Sequence, residues 1–251
     1  MSRTLLAARA AASAPAFNAK LLESWYSDSG LTDDGGGLIS SWVGRKDGYA
    51  FAAVAGERPT NTAQQYALVQ GLVFNGSSNT MKCSTIGTLL SGKTGVTVIM
   101  VLQGSSAGFH MLLEYGGDWG TAGNFGILKN NQFTANLVAH ATFEPGKDSD
   151  WYGDADTAPM SAAGVLCATF DSTLATNETT VTLNDAAMSG SRPVNPNSTG
   201  SLANRILYLA SRAGTNYFQP MSLGAVNIYD VLTAGEQTAE IDILRAKFGT
   251  P

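Results

Sequence analysis

The chain predicts an all-β fold: an antiparallel β-sandwich with a short N-terminal helical arm and a C-terminal helix. Three observations carry this. About a dozen short runs rich in apolar, β-branched and aromatic residues recur, each bounded by a turn signal. Glycine is abundant at 28 of 251 residues, about one and a half times common usage. With Thr, Asn and Ser it suits many tight turns. Strands do not alternate with helices, which argues against a doubly wound parallel sheet. At 44% apolar residues the chain can fill a sizeable core.

The elements follow in order. The opening MSRTLLAARAAASAPAF superficially looks like a signal peptide, but Arg9 breaks its apolar centre. It is read instead as an Ala-rich helix over residues 2–12, ended before Pro15. A helix this short is marginal alone and needs a surface to lie on. Leu21–Tyr26 leads into the Asp33-Asp34-Gly35 turn. Leu38–Val43 and Tyr49–Val54 are strands around Gly44–Gly48. Gly71–Phe74 and Thr80–Ser84 flank Asn75-Gly76, a hairpin-type turn. Thr94–Gln103 is continuously apolar and β-branched, which predicts a central strand covered on both faces.

Phe109–Tyr115, Asn124–Lys129 and Gln132–Ala139 read as a meander, the last two joined at Asn130-Asn131. Residues 144–161 read as a long polar loop, and 190–200 as a Ser/Pro/Asn-rich loop. Gly164–Asp171, Thr179–Asn184, Arg205–Ser211 and Met221–Tyr229 complete the strands. The closing helix has a capping-box spacing at Thr233 and Glu236, an apolar face of Ile241, Leu244 and Phe248, and Gly249 as its stop. Residues 1–20 are thus an arm and a candidate anchor, and 21–251 one sandwich domain.

Charge and composition exclude several partners. Net charge is −5 and no basic block exists, so no nucleic acid is expected. No run approaches the ~20 apolar residues of a membrane span, so no membrane insertion is expected. Cys83 and Cys167 sit in apolar runs and read as small buried hydrophobes; spacing does not decide whether they pair.

Catalytic motifs are sparse. Glu114 lies in a strand without a second Glu nearby, where glycoside hydrolysis needs a carboxylate pair. His110 and His140 read as surface or hydrogen-bonded strand residues. Residues 87–94 match a phosphate-loop spacing, but a β-branched strand follows where a helix is required. The densest acidic cluster is Asp148, Asp150, Asp154 and Asp156 around Trp151 and Tyr152. It is the candidate ligand site. The aromatics could stack on a sugar ring while the acids accept hydroxyl protons, or the acids could hold calcium. The plain alternative is a solvated acidic loop. No resident cofactor is expected beyond that calcium option.

Three segments carry a resemblance. The first is Trp25-Tyr26 with Ser40-Ser41-Trp42 and the turn WVGRKDGYA. The second is Gly71–Ser77 (GLVFNGS). The third runs from Leu166 through Phe170-Asp171 and Val181–Asp185 to Gly224–Asp230 and the capped helix. In this order they resemble the concanavalin A-like (laminin-G-like) jelly-roll domains of phage and prophage structural proteins. The resemblance implies a jelly-roll sandwich in a non-enzymatic virion component, either capsid decoration or tail fibre. It implies other virion proteins as partners, a homo-oligomer, and adhesion to a host-surface glycan. The alternatives are a calcium-dependent lectin-like module and a glycoside hydrolase or lyase.

Overall fold

The computed structural model describes residues 18–62, 66, 69–104, 109–118, 120–129, 135–154, 163–187, 190–191 and 198–250. The predicted arm helix and the Asn130-Asn131 turn lie outside them. Two antiparallel sheets face each other, as the strand pattern predicts.

The first sheet has eight strands among the described residues. In spatial order they are β15 (Ala186–Ala187), β14 (Thr179–Leu183), β13 (Gly164–Asp171), β8 (Gly95–Gly104), β18 (Pro220–Tyr229), β6 (Gly71–Asn75) and β5 (Thr60–Thr62). β1 (Leu21–Tyr26) also pairs with β18, end to end with β6. Ala225–Tyr229 faces β1, and Pro220–Leu223 faces β6. The second sheet has ten strands. They run β16 (Gly190–Ser191), β12 (Lys147–Asp154), β11 (Ala135–Glu144), β10 (Asn124–Lys129), β9 (His110–Tyr115), β17 (Leu207–Leu209), β7 (Met81–Cys83), β4 (Ala50–Ala52), β3 (Ile39–Val43) and β2 (Leu31–Asp33).

Alternation along each strand builds the core between the sheets. Trp25, Trp42 and Phe51 sit at its centre, with ring centroids 4.8 Å (Trp25–Phe51) and 6.1 Å (Trp42–Phe51) apart. Both indole N–H groups find carbonyls: Trp25 Nε1 donates to Tyr49 O at 2.8 Å and Trp42 Nε1 to Tyr26 O at 3.0 Å. The tryptophans that carry the sequence resemblance are therefore core residues with satisfied polar tips.

A third layer covers the first sheet. Besides the single-turn helix α1 (Gly87–Leu90), there is helix α2 (Ala234–Phe248), which lays Ile241, Leu244 and Phe248 on Ile99, Val101, Val165, Cys167, Ala225 and Tyr229. This explains why β8 is apolar on both faces. Its even residues face the second sheet and its odd ones face the helix. The capping box forms as predicted, and Gly249 closes the helix at φ 64°. β18 bulges between Leu223 and Ala225 against β8. Gly224 lies at that bulge, and a Cβ there would come within 2.9 Å of the Phe248 ring. The bare backbone lets the helix end seat on the sheet.

Three expectations need correction. Residues 147–154 are not loop but β12, paired along β11. The segment is polar because it lies near the sheet edge, where one face meets water. Gly190–Ser191 is likewise a short strand on β12. Asn75-Gly76 does not close a hairpin, since β6 belongs to one sheet and β7 to the other. Asn75 Oδ1 accepts from the Ser77, Ser78 and Asn79 amides at 2.9–3.0 Å and turns a corner between layers. A local turn signal specifies reversal but not the partner strand. Cys83 and Cys167 are free and buried, in different sheets and different cores.

Candidate functional site

Strand register places polar residues in one transverse row on the second sheet. Lys82 on β7 opposes Tyr208 on β17, and Tyr208 opposes Glu114 on β9. Glu114 opposes Gly126 on β10, Gly126 opposes His140 on β11, and His140 opposes Asp150 on β12. Residues in register share a face, and this one is turned away from the core between the sheets.

At one end of the row the predicted aspartates find partners. Asp148 and Asp150 point the same way, two residues apart. His140 Nδ1 contacts Asp150 Oδ1, and His140 Nε2 lies 2.9 Å from Thr142 Oγ1. Thr142 Oγ1 donates to Asp148 Oδ1 at 2.7 Å. A carboxylate thus orients a histidine beside a hydroxyl, as a nucleophilic relay requires. Yet Thr142 is fully buried and gives its proton to Asp148. The chain Asp150–His140–Thr142–Asp148 stitches β11 to β12 and does not present a nucleophile. The side chains of Trp151, Tyr152 and Asp154, and all of Asp156, lie outside the described residues. Among the described residues no three His, Cys, Asp or Glu side chains gather as metal ligands.

At the other end a groove of about 210 Å³ opens, lined by Glu57, Thr80, Lys82, Tyr208, Gly214 and Thr215. It lies three strands from His140, about 14 Å at ordinary strand spacing. Glu114 holds its far wall. This buried carboxylate accepts the Ala213 amide at 2.8 Å through Oε2, and Arg212 Nε stands 3.5 Å from Oε1. Arg212 also covers the Tyr217 ring at 5.8 Å. Ala210, Ala213 and Tyr217 all adopt left-handed φ between 51° and 61°. Three such non-glycine residues in eight positions are costly, and they persist because the Glu114 contacts to the Ala213 amide and Arg212 over-determine the loop. Burial, and next the Glu114 charge, push the Tyr208 phenol upward, so it stays a neutral donor at physiological pH. The groove offers an aromatic ring, a lysine, a carboxylate and hydroxyls on a rigid sheet.

Sequence reasoning missed this groove, because Lys82 and Tyr208 are more than a hundred residues apart. It also missed the role of the buried glutamates. Glu23 accepts the Ser24, Lys46, Asp47 and Tyr49 amides, and Glu178 accepts the Ser198 amide at 2.6 Å. A signal existed. A lone Glu inside an apolar run, as in LLESWY or HMLLEY, must be satisfied by donors from elsewhere. The two histidines are engaged, as read from the sequence: His110 Nδ1 lies 2.6 Å from Phe218 O.

No family model and no curated protein sequence matches the chain. Solved structures do match in fold. The binding domain of botulinum neurotoxin serotype G superposes with TM-score 0.64 at 10% identity, over 92% of this chain and 54% of that one. The binding domain of Paraclostridial Mosquitocidal Protein 1 gives 0.64 at 12%, over 92% and 55%. A Trypanosoma rangeli sialidase, solved with 2,3-difluorosialic acid as a covalent intermediate, gives 0.57 at 14%, over 91% and 33%. The chain thus spans about half of those two binding domains and a third of the sialidase. At these identities the likeness is one of architecture: this chain shares their β-sandwich.

Proposed function

We propose that the chain is a non-enzymatic binding module of a phage particle that adheres to a host-surface glycan through the groove at Tyr208. The observation that carries the reading is the groove itself. A sugar ring can stack on Tyr208 while Lys82, Glu57 and Thr215 exchange hydrogen bonds with its hydroxyls. The sheet beneath is rigid, so little ordering entropy is lost on binding.

Two further observations support it. The similar solved domains include two named as binding domains. The buried carboxylates Glu23, Glu114 and Glu178 are committed to backbone amides, which suits a scaffold better than an acid–base pair. The particle assignment rests on the sequence resemblance to phage jelly-roll proteins. In that setting residues 1–20 anchor the module to other virion proteins, and copies assemble as a symmetric homo-oligomer.

Glycan-array binding tests the reading, with Tyr208→Ala as control. The expected result is retention of a defined glycan class by the parent and loss by the variant at unchanged melting temperature. Absence of any retained glycan, or turnover of a glycan by the purified protein, overturns it. Addition of calcium during the same measurement addresses the lectin-like alternative. A raised melting temperature with added calcium would favour that alternative.

A further inference from the structure

Strands β11 and β12 are joined on the outer face of the second sheet by a four-residue chain whose hydrogens can be counted. His140 opposes Asp150 and Thr142 opposes Asp148 in register. Three contacts link them. His140 Nδ1 meets Asp150 Oδ1, His140 Nε2 lies 2.9 Å from Thr142 Oγ1, and Thr142 Oγ1 lies 2.7 Å from Asp148 Oδ1. His140 and Thr142 are both buried.

Each contact needs one hydrogen between its two heavy atoms. A threonine hydroxyl brings one, a neutral imidazole brings one, and two ionised carboxylates bring none. The set is therefore one hydrogen short. Thr142 gives its proton to Asp148, because an ionised carboxylate can only accept. Thr142 Oγ1 must then receive from His140 Nε2. Nδ1 must donate as well, because Asp150 has nothing to give. Both ring nitrogens carry hydrogen, so the ring is an imidazolium. A carboxyl is the other home for the extra proton. Imidazole is the stronger base, with an ordinary pKa of ~6.5 against ~3.9 for a carboxyl of this kind, so the ring keeps it.

The surroundings agree with a positive ring. Among the described residues, β12 sets Asp150 and Asp148 beside it. On β10 the residues opposite His140 and Thr142 are Gly126 and Asn124, which carry no charge. Beyond Gly126, Glu114 on β9 is held by Arg212. At the β11–β12 turn, Lys147 is paired with Glu144. Carboxylates close to an imidazole favour its charged form.

We propose that this network holds one extra proton at neutral pH, on His140, and is a pH-sensitive clasp that secures β12 to β11 and releases it as pH rises. The unfolded chain gives up this proton near ~6.5, the ordinary histidine value. Just below that value the stabilisation is complete, and it fades as pH rises through the higher value of the folded protein. Once the ring is neutral, one contact has no hydrogen and two buried acceptors face each other. β12 is the strand released. Outside it, among the described residues, lie only Gly190 and Ser191 of β16. The clasp is three strands from the Tyr208 groove and does not depend on what that groove binds.

Ring-nitrogen NMR of the whole chain tests the proposal. His110 is the one other histidine, so His110→Gln assigns the signals. At about pH 7 both His140 nitrogens should carry hydrogen, where an ordinary histidine is mostly neutral. The ring should titrate above ~6.5, with β11 and β12 amide shifts moving in step. Asp148→Asn removes the need for the extra proton. Its NH2 can donate to Thr142 Oγ1, which frees the hydroxyl to donate to Nε2. All three contacts then form around a neutral ring. The titration should move back toward ~6.5, and the fall in urea midpoint between roughly pH 7 and 9 should disappear. A parent ring with a single hydrogen at neutral pH overturns the proposal, whether or not the variant folds. So does a titration that Asp148→Asn leaves in place, or β12 amides that ignore it.

Discussion

Glu23→Ala tests the claim that buried carboxylates hold this scaffold together. Glu23 is fully buried, and its two oxygens accept four amides. Oε1 takes Ser24 at 2.9 Å and Lys46 at 2.8 Å, and Oε2 takes Asp47 at 3.0 Å and Tyr49 at 3.1 Å. Together they pin the turn 44–49. Lys46 and Asp47 are exposed, so their amides recover water when the carboxylate is removed. Ser24 is buried and Tyr49 half-buried, so theirs do not. Two orphaned amides at about 1–2 kcal/mol each, and smaller losses at the exposed pair, sum to about 4 kcal/mol. Relief from burying the charge itself returns roughly 1 kcal/mol. The expected net loss is about 3 kcal/mol, or a fall in melting temperature of about 6–12 °C for a chain of this size. Urea unfolding should show a lower midpoint at unchanged slope, and hydrogen exchange should show lost protection at Tyr49. Glu23→Gln should fail to rescue, because either amide orientation points its NH2 at two backbone donors. A loss under about 1 kcal/mol, or a Gln variant as stable as the parent, would refute the reasoning.

Phe248 makes edge contacts with Tyr26 at 5.9 Å and Tyr66 at 5.7 Å and fills the gap over Gly224. Phe248→Ala should cost about 3–5 kcal/mol in chemical unfolding, by loss of burial and a residual void. The Lys20 ammonium, and next the Thr233 amide, hold Glu236 below the ordinary 4.5, at about 2. Its folded value is depressed, so its stabilising contribution is complete above about 4.5 and fades as pH falls toward 2. Glu236→Gln should flatten that part of an acid titration followed by circular dichroism, leaving neutral stability lower. Burial pushes the Cys167 thiol up to about 12 and the Cys83 thiol up as well. A thiol reagent at mild alkaline pH should label neither until urea unfolds the chain, and labelling of the native protein would contradict the layered core.

Local chemistry made much of the fold legible. The capping box at Thr233 and Glu236 and the stop at Gly249 involve neighbours a few residues apart, so their spacing alone specifies the helix. The apolar run 95–104 required cover on both faces, and two layers supply it. Other features are long-range. Polarity made 147–154 read as a loop, but pairing with β11 makes it a strand. Asn75-Gly76 reads as a hairpin because the turn is local, whereas the sheet each flanking strand joins is not.

The sequence by itself therefore determined the fold class, the terminal helix with its apolar face, and the burial of both cysteines. These follow from periodicity and capping, which act between near neighbours. Only the tertiary structure decided which polar groups meet. Strand register brought Lys82 to Tyr208 and His140 to Asp150, and set Ser24 against Asn227 beneath α2. Such pairings depend on how strands separated by up to two hundred residues align, and loop closure leaves no local trace of that alignment.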